Sequence, residues 1–247
     1  MRAFDTIGST NDEALAWLEN GCNDYSLIIA DEQTKGRGRF DRKWVTRPGA
    51  SLAFSLVLKP TLEETAHLQL FAPLCGLAVW QALHDLYRLD AQIKWPNDVL
   101  IERCKCAGVL VEAAWTEAEL KGIVLGIGIN ISEGSLPPST DRLFPVSCLE
   151  TAIGHPVDRF EVLSAVLRSI ITWRSKLSNP EFISAWQSHL AFLGEPVMIV
   201  QSPKSSIIGV VKGIDNHGRL ILVREGGIEA AIEVGDVHLR LADDSIS

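Results

Sequence analysis

Cations crowd into the stretch TKGRGRFDRKW, Arg37, Arg39, Arg42 and Lys43 among them, where two glycines alternate with arginines and Trp44 closes the run. Glycines let the backbone approach an anion closely, and clustered cations stabilise negative charge on a phosphate or carboxylate. The same composition also suits a basic arm for nucleic acid or a solvated turn. Two further polar islands stand in apolar surroundings. KWPNDVL sets Lys94, Asn97 and Asp98 at a turn between strands, and RCKCAGVLVE sets Lys105 at the mouth of an apolar strand. Taken singly, Lys105 reads as a snorkelling surface lysine and each island as a solvated loop. Three islands in one β-rich region, with tryptophans beside two of them, point instead to a shared site for anions.

Other chemistries leave no matching spacing. The chain has no G-x-x-x-x-G-K-[ST]. GIGINI at 126–131 carries the first two glycines of a dinucleotide fingerprint, but Ile131 stands where the third belongs and no helix evidently follows. Neither a Ser-His-Asp nor a Cys-His signature is present, and the six histidines lack metal-ligand spacing. Cys104 and Cys106 form a C-x-C pair without the second pair that a zinc site needs.

Bulk properties narrow the partners. The 247 residues are 47% hydrophobic and carry a net charge of -8, with a pI near 5.3. An acidic chain is a poor general binder of nucleic acid or anionic membrane, so the basic loop is a local exception that asks for a local anion. Five cysteines, odd in number and irregularly spaced, fit a reducing cytoplasm better than a disulfide framework. The start shows no signal peptide, and the most apolar stretch is interrupted by Gln69, Pro73 and Gly76, so no membrane partner is expected.

The elements that must position these residues follow from pattern. STNDEALAWLENG opens with N-cap residues, carries acids in its first turn and ends at a glycine, which predicts a first amphipathic helix. YSLIIADEQ predicts a buried strand running into the glycine–arginine loop. ASLAFSLVLKP predicts another, and Glu63 and Glu64 open a long helix that reaches about Tyr87. From Ala91 to Ser132 the pattern predicts successive strands with tight turns, then a Pro-rich loop and helices near 158–175 and 180–190. After FLGEPV, alternating residues with turn signals at DNHG and EGG predict a small all-β module.

STNDEA, DEQTKGRGRFDRKW, GASLAFSLVL, KWPNDVLI, KCAGVLVE and GIGINI occur in the order seen in biotin protein ligases, and the chain resembles that family from about Ser9 to Asn130. The pair of GRGR…KW with KWPND is the specific part. Phe40 and Asp41 occupy a variable pair within the loop.

The resemblance implies an α/β (α+β) fold: a mixed, largely antiparallel sheet with flanking helices, like class II aminoacyl-tRNA synthetases, and a small C-terminal SH3-like β-barrel. It implies a catalytic biotin- and ATP-binding domain over 1–190 and the SH3-like domain over 191–247. The implied reaction condenses biotin with ATP to biotinyl-5′-adenylate, then transfers the biotinyl group to a lysine of a biotin carboxyl carrier domain. By motif match, Ser9, Thr10, Asn11, Gln33, Arg37, Gly38, Arg39, Lys105 and Gly108 would bind biotin, with Lys105 and Arg39 catalytic. Arg42, Trp44, Asn97, Asp98, Lys105 and Asn130 would serve ATP, with Asp98 a candidate ligand for Mg²⁺. Ser9 or Thr10 could equally cap the following helix, and Trp44 could be core. Family members that repress transcription carry a preceding DNA-binding domain. Only eight residues precede Ser9, so a monofunctional form that binds no DNA is expected. Formation of a homodimer stays open. The nearest rival is a lipoate or octanoyl ligase or transferase of the same fold, and a rival of another class is an RNA-binding regulator.

Overall fold

The computed structural model describes residues 1–39, 42–117, 119–137, 145–202, 205–233 and 238–241. The Phe40–Asp41 pair lies outside them. The chain begins β1 (Arg2–Ile7), α1 (Thr10–Glu19), β2 (Ser26–Gln33), β3 (Ser51–Leu58). A short α2 (Leu62–Thr65) and a 3-10 turn at Leu68–Leu70 lead into α3 (Phe71–Tyr87). A meander follows: β4 (Ala91–Lys94), β5 (Asp98–Ile101), β6 (Cys104–Thr116) and β7 (Glu119–Asn130). Then come α4 (Leu149–Ile153), α5 (Arg159–Arg174) and α6 (Pro180–Ser188). The last elements are β8 (Pro196–Ser202), β9 (Ser205–Ile214), β10 (Leu220–Val223), β11 (Glu229–Ile232) and β12 (His238–Leu241).

The first seven strands form one sheet in the order β1-β2-β3-β7-β6-β5-β4. Only β1 and β2 run parallel, because α1 supplies the crossover that a parallel pair requires. The expected mixed, largely antiparallel sheet is therefore present. β3 and β7 are its centre, and every residue of β3 is buried. Alternation along these strands divides the two faces. Leu52, Phe54, Leu56 and Leu58 of β3 join Ile123, Leu125, Ile127 and Ile129 of β7 in the main core with α3 and α5. On the other face, Val57 and Val124 meet Ala14 and Leu18 of α1 in a much smaller cluster. Beyond that cluster β7 turns Gly126 and Gly128 to this face, which leaves it open where α1 begins.

The long helix expected from Glu63 is broken in two. A helix running straight through Pro73 would lose the bond from residue 73 to the carbonyl of residue 69 and would clash there. The 3-10 turn restarts the chain at Phe71, so Pro73 falls in a first turn whose N–H groups have no intrahelical partner. Thr61 and Glu64 open the earlier fragment with a capping box.

The C-terminal strands form an antiparallel sheet in the order β11-β10-β9-β8-β12. Among the described residues its end strands β11 and β12 do not pair, so the implied barrel is an open five-stranded sheet here. Val197, Ile199, Val211, Leu220 and Leu222 of its inner face belong to the main core. The Trp95 indole N–H donates to the Gly218 carbonyl at 2.9 Å, which ties the KWPND hairpin to this sheet. No described helix is long and apolar enough to cross a membrane.

Candidate active site

The open face of the large sheet is a cleft between the N-terminus of α1, the glycine–arginine loop, the β4–β5 hairpin and the start of β6. Ser9, Thr10, Asn11, Gln33, Arg37, Gly38, Arg39, Arg42, Trp44, Asn97, Asp98, Lys105 and Gly108 all line it. Asn130 does not. Its buried amide donates to the Ser147 carbonyl at 3.0 Å. That bond holds the segment whose Pro145 carbonyl accepts from the Lys105 N–H, so Asn130 stands behind the site.

At one end the cleft is neutral and polar. Ser9 caps α1 by accepting from the Asp12 N–H at 3.4 Å and also lines the cleft, so its capping and site-lining roles coexist. Thr10 donates both its N–H (2.8 Å) and its hydroxyl (3.0 Å) to Gln33 Oε1. Ser55 Oγ, fully buried on β3, lies 2.6 Å from Asn11 Oδ1 and 2.8 Å from Thr10 Oγ1. The amide nitrogen of Asn11 reaches Glu112 Oε2 at 2.7 Å and the Leu110 carbonyl at 3.3 Å. A Cβ on Gly126 would sit 2.2 Å from Asn11 Oδ1, so only glycine leaves room for this amide.

At the other end the cleft is charged. Lys105 Nζ lies 2.7 Å from Asp98 Oδ1, with the two side chains 24% and 13% exposed. That oxygen nonetheless receives no aligned hydrogen bond, so the contact is one of charge and distance alone. Arg39 Nη1 donates to Asn97 Oδ1 at 3.4 Å, and Asn97 Nδ2 donates to the Val109 carbonyl at 2.6 Å. The Trp44 indole lies against Gly128, where a Cβ would come within 2.2 Å of its ring. Lys105 Nζ stands 5.6 Å from that ring, and the indole N–H is buried without an acceptor among the described residues.

The loop between these ends is folded back on itself. Gly38 N–H donates to the Arg42 carbonyl and Trp44 N–H to the Gly36 carbonyl. A Cβ on Gly36 would lie 2.4 Å from the Trp44 carbonyl oxygen, so this return needs glycine. Thr46, buried, then takes the Gln33 N–H at 2.6 Å and fixes the outgoing chain to β2. Asp31 secures the next turn through the Gly49 N–H and an ion pair with Arg159. Burial pushes the Asp31 carboxyl up, but that N–H and Arg159 outweigh it and hold the pKa below the usual value.

Several residues of the site escaped the sequence. Ser55 and Glu112 each stood as a polar residue flanked on both sides by apolar ones within a strand, a signal that was available. Lys43 and Lys94, already read as parts of the polar islands, line the cleft too, as do Gly126 and Gly128. GIGINI proves to be its floor, since the glycines admit Asn11 and Trp44 in place of a phosphate. Burial pushes the Cys106 thiol up, and among the described residues no group of acids, histidines or cysteines is arranged to hold a metal.

Residues 3–130 match the model of the Biotin/lipoate A/B protein ligase family, and residues 192–240 match that of the Biotin protein ligase C terminal domain. The chain is 35% identical over 223 residues to the biotin--[acetyl-CoA-carboxylase] ligase of Paracoccus denitrificans, covering 87% of this chain and 90% of that one. It is 31% identical over 240 residues to the bifunctional ligase/repressor BirA of Bacillus spizizenii, covering 94% of this chain and 73% of that one. Among solved structures, the biotin protein ligase from Aquifex aeolicus in complex with biotin and ATP superposes with a TM-score of 0.82 at 30% identity, covering 98% and 97% of the two chains. Cleft, motif order and these likenesses agree: the chain belongs to the biotin/lipoate A/B protein ligase family.

Proposed function

We propose that the protein is a biotin protein ligase that activates biotin with ATP and transfers it to a lysine of a carboxyl carrier domain. The observation that carries this reading is one cleft with a neutral hydrogen-bonding end and a cationic end. A ureido ring offers two N–H donors and one carbonyl acceptor. Ser9, Thr10, Asn11 and Gln33 supply the matching hydroxyls and amides. An acyl chain such as octanoate would cover the donor and acceptor capacity this network leaves over without pairing it, a cost of about 1–3 kcal/mol for each group so stranded.

Biotin's valeryl arm would carry its carboxylate from that end toward Lys105 and Arg39. There the carboxylate oxygen attacks the α-phosphorus of ATP, and the bond to the bridging oxygen of pyrophosphate breaks. The two reactants are both anions, so the cations lower the barrier by offsetting their repulsion. Lys105 is a point charge able to face both oxyanions, and Arg39 presents a fork to one. Trp44 would pack against the adenylate, offering its buried N–H to an acceptor. In the second step the acceptor lysine's amine attacks the acyl carbon, AMP leaves, and the amine loses a proton.

Asp98 is the one carboxylate among the described residues lining the cleft. It would hold Mg²⁺ together with nucleotide phosphates, as suits an ion that keeps several waters, and the ion would screen phosphate charge. Residues 1–190 would form the catalytic domain and 191–247 the appended one. Biotin-dependent exchange of pyrophosphate into ATP by the purified chain tests the reading. Exchange is expected, and its absence from folded protein rejects the ligase assignment.

A further inference from the structure

Arg37 belongs to the glycine–arginine loop, yet its guanidinium is committed elsewhere than to the cationic end. Nη1 donates to Glu112 Oε1 at 3.0 Å and Nη2 to Glu112 Oε2 at 2.9 Å, the parallel two-bond geometry in which arginine is most selective. Nη2 also meets Asp12 Oδ1 at 2.5 Å. One positive charge between two carboxylates adds nothing to the field that would attract a carboxylate or phosphate. Burial lowers the Arg37 pKa, but Glu112 and Asp12 outweigh it and keep the charge firmly on.

Glu112 is unusual for its place. It sits on β6 among Val111, Ala113 and Ala114, with its side chain 24% exposed. The same Oε2 that holds Arg37 also accepts from Asn11 Nδ2 at 2.7 Å. A carboxylate only accepts, so it compels Asn11 to turn its nitrogen this way and its oxygen toward the Ser55 hydroxyl. One carboxylate thus fixes both the orientation of a head-pocket amide and the position of the loop that passes over it.

We propose that Glu112 is a positioning residue for biotin binding: it staples the glycine–arginine loop to the head pocket by holding Arg37 and Asn11 on one carboxylate, and the Arg37 side chain serves as loop anchor and not as a ligand for the substrate's carboxylate. This rests on the ligase reading above. The staple selects for biotin's head before any chemistry occurs, because it acts at the end of the cleft remote from Lys105 and Asp98.

A double-mutant cycle on the full chain tests it, with biotin affinity from calorimetry and kinetic constants from pyrophosphate exchange. Glu112→Gln keeps the shape but loses the charge and one acceptor, and Arg37→Lys keeps the charge but loses the fork. Each is expected to raise the Kd and KM for biotin about tenfold, the usual scale for a charge-assisted hydrogen bond. The KM for ATP and the rate at saturating biotin should stay within about threefold. The double variant should be no worse than the worse single one, since both changes break one interaction. Glu195→Gln breaks a two-bond pair of the same kind, with Arg103 and away from the cleft, and should leave biotin KM unchanged.

Multiplying effects in the double variant would overturn the proposal, because they would make Arg37 an independent ligand. So would a loss of thermal stability in Glu112→Gln with normal biotin KM, the mark of a purely structural pair. If Glu112→Gln does not fold, Arg37→Lys decides alone, and unchanged biotin KM in that exposed variant overturns the proposal. Wild-type protein that exchanges pyrophosphate while the variants bind biotin normally sinks the staple and leaves the ligase reading intact. Wild-type protein without exchange sinks the ligase reading itself.

Discussion

The two ends of the cleft are built on opposite principles. In the neutral end, Ser55, Thr10, Asn11 and Gln33 hydrogen-bond one another around buried positions, so the pocket is ordered by its own network. In the charged end, Lys105 and Asp98 touch without an aligned hydrogen bond, and the Trp44 indole N–H is buried with no acceptor among the described residues. A satisfied network presents a fixed pattern of donors and acceptors, which suits selection of one head group. Charges held loosely against each other can be redirected when two anions are brought together, which suits catalysis. Selection and chemistry are thus separated along one groove, and variants can test that separation.

The largest effect is expected at Lys105. Lys105→Met keeps the unbranched stem but removes the charge, and should slow adenylate formation about 10²–10³-fold, as for loss of one preorganised donor. Biotin-dependent pyrophosphate exchange measures this. Transfer from pre-formed biotinyl-adenylate should fall less, because no second anion is being forced against biotin. The variant also strands a mostly buried Asp98. Breaking a fully buried pair costs about 3–5 kcal/mol, and the partial exposure here should bring the loss below that. Adding Asp98→Asn should restore the melting temperature without restoring the rate. Recovery of rate in that double variant would show that the pair acts only in folding.

The floor glycines separate the two ends more directly. Gly126→Ala drives a methyl into the Asn11 amide, whereas Gly128→Ala drives one into the Trp44 ring. The first should weaken biotin about tenfold or more with ATP nearly unaffected, on the scale of one disrupted polar contact. The second should weaken ATP and spare biotin. Calorimetry with each ligand decides, and equal losses for both ligands in either variant would erase the distinction.

Much of this was legible before any coordinates. The resemblance implied the sheet's mixed character, and the residues it assigned to biotin and ATP all line the cleft except Asn130. What the motifs did not show has physical reasons. Asn130 lies on the strand that forms the floor, but its amide is turned to Ser147, and side-chain direction at a strand end depends on the chain packed beyond it. Gly126 and Gly128 resembled a phosphate fingerprint because a glycine's motif does not say what approaches it. Glu112 and Ser55 became visible only through partners 101 and 45 positions away in sequence, respectively. The break before α3 followed from Pro73 and could have been foreseen.

Ser55→Ala probes the neutral end from behind. The residue is fully buried and faces no solvent. Its loss leaves Asn11 Oδ1 without its hydroxyl donor, at a cost of about 1–3 kcal/mol in stability. A thermal melt should register that loss, and biotin affinity should fall several-fold while the KM for ATP holds. An unchanged biotin affinity would mean that Glu112 alone orients Asn11.

The smallest effect belongs to acid. β4, which carries Lys94 into the charged end, is bonded to the chain after α6: Ile93 N–H donates to the His189 carbonyl at 2.7 Å, and Ala191 N–H to the Ile93 carbonyl at 2.9 Å. The His189 ring stacks on Trp80 with centroids 3.5 Å apart. Burial holds its pKa below the ordinary 6.5, the nearby His84 adds to the depression, and Asp90 opposes it. A histidine depressed in the folded state contributes stability that is whole above the unfolded value and is lost as pH falls through the folded one. The melting temperature should therefore drop as pH falls from above the ordinary 6.5 to below it, and drop less in His189→Phe, which keeps a ring on Trp80 but cannot titrate. Biotin affinity should stay flat over the same window, because Ser9, Thr10, Asn11, Gln33 and Ser55 do not titrate there. An affinity that instead follows the His189 titration would mean that the frame of the charged end also governs the neutral one, and the two ends would have to be treated as a single site.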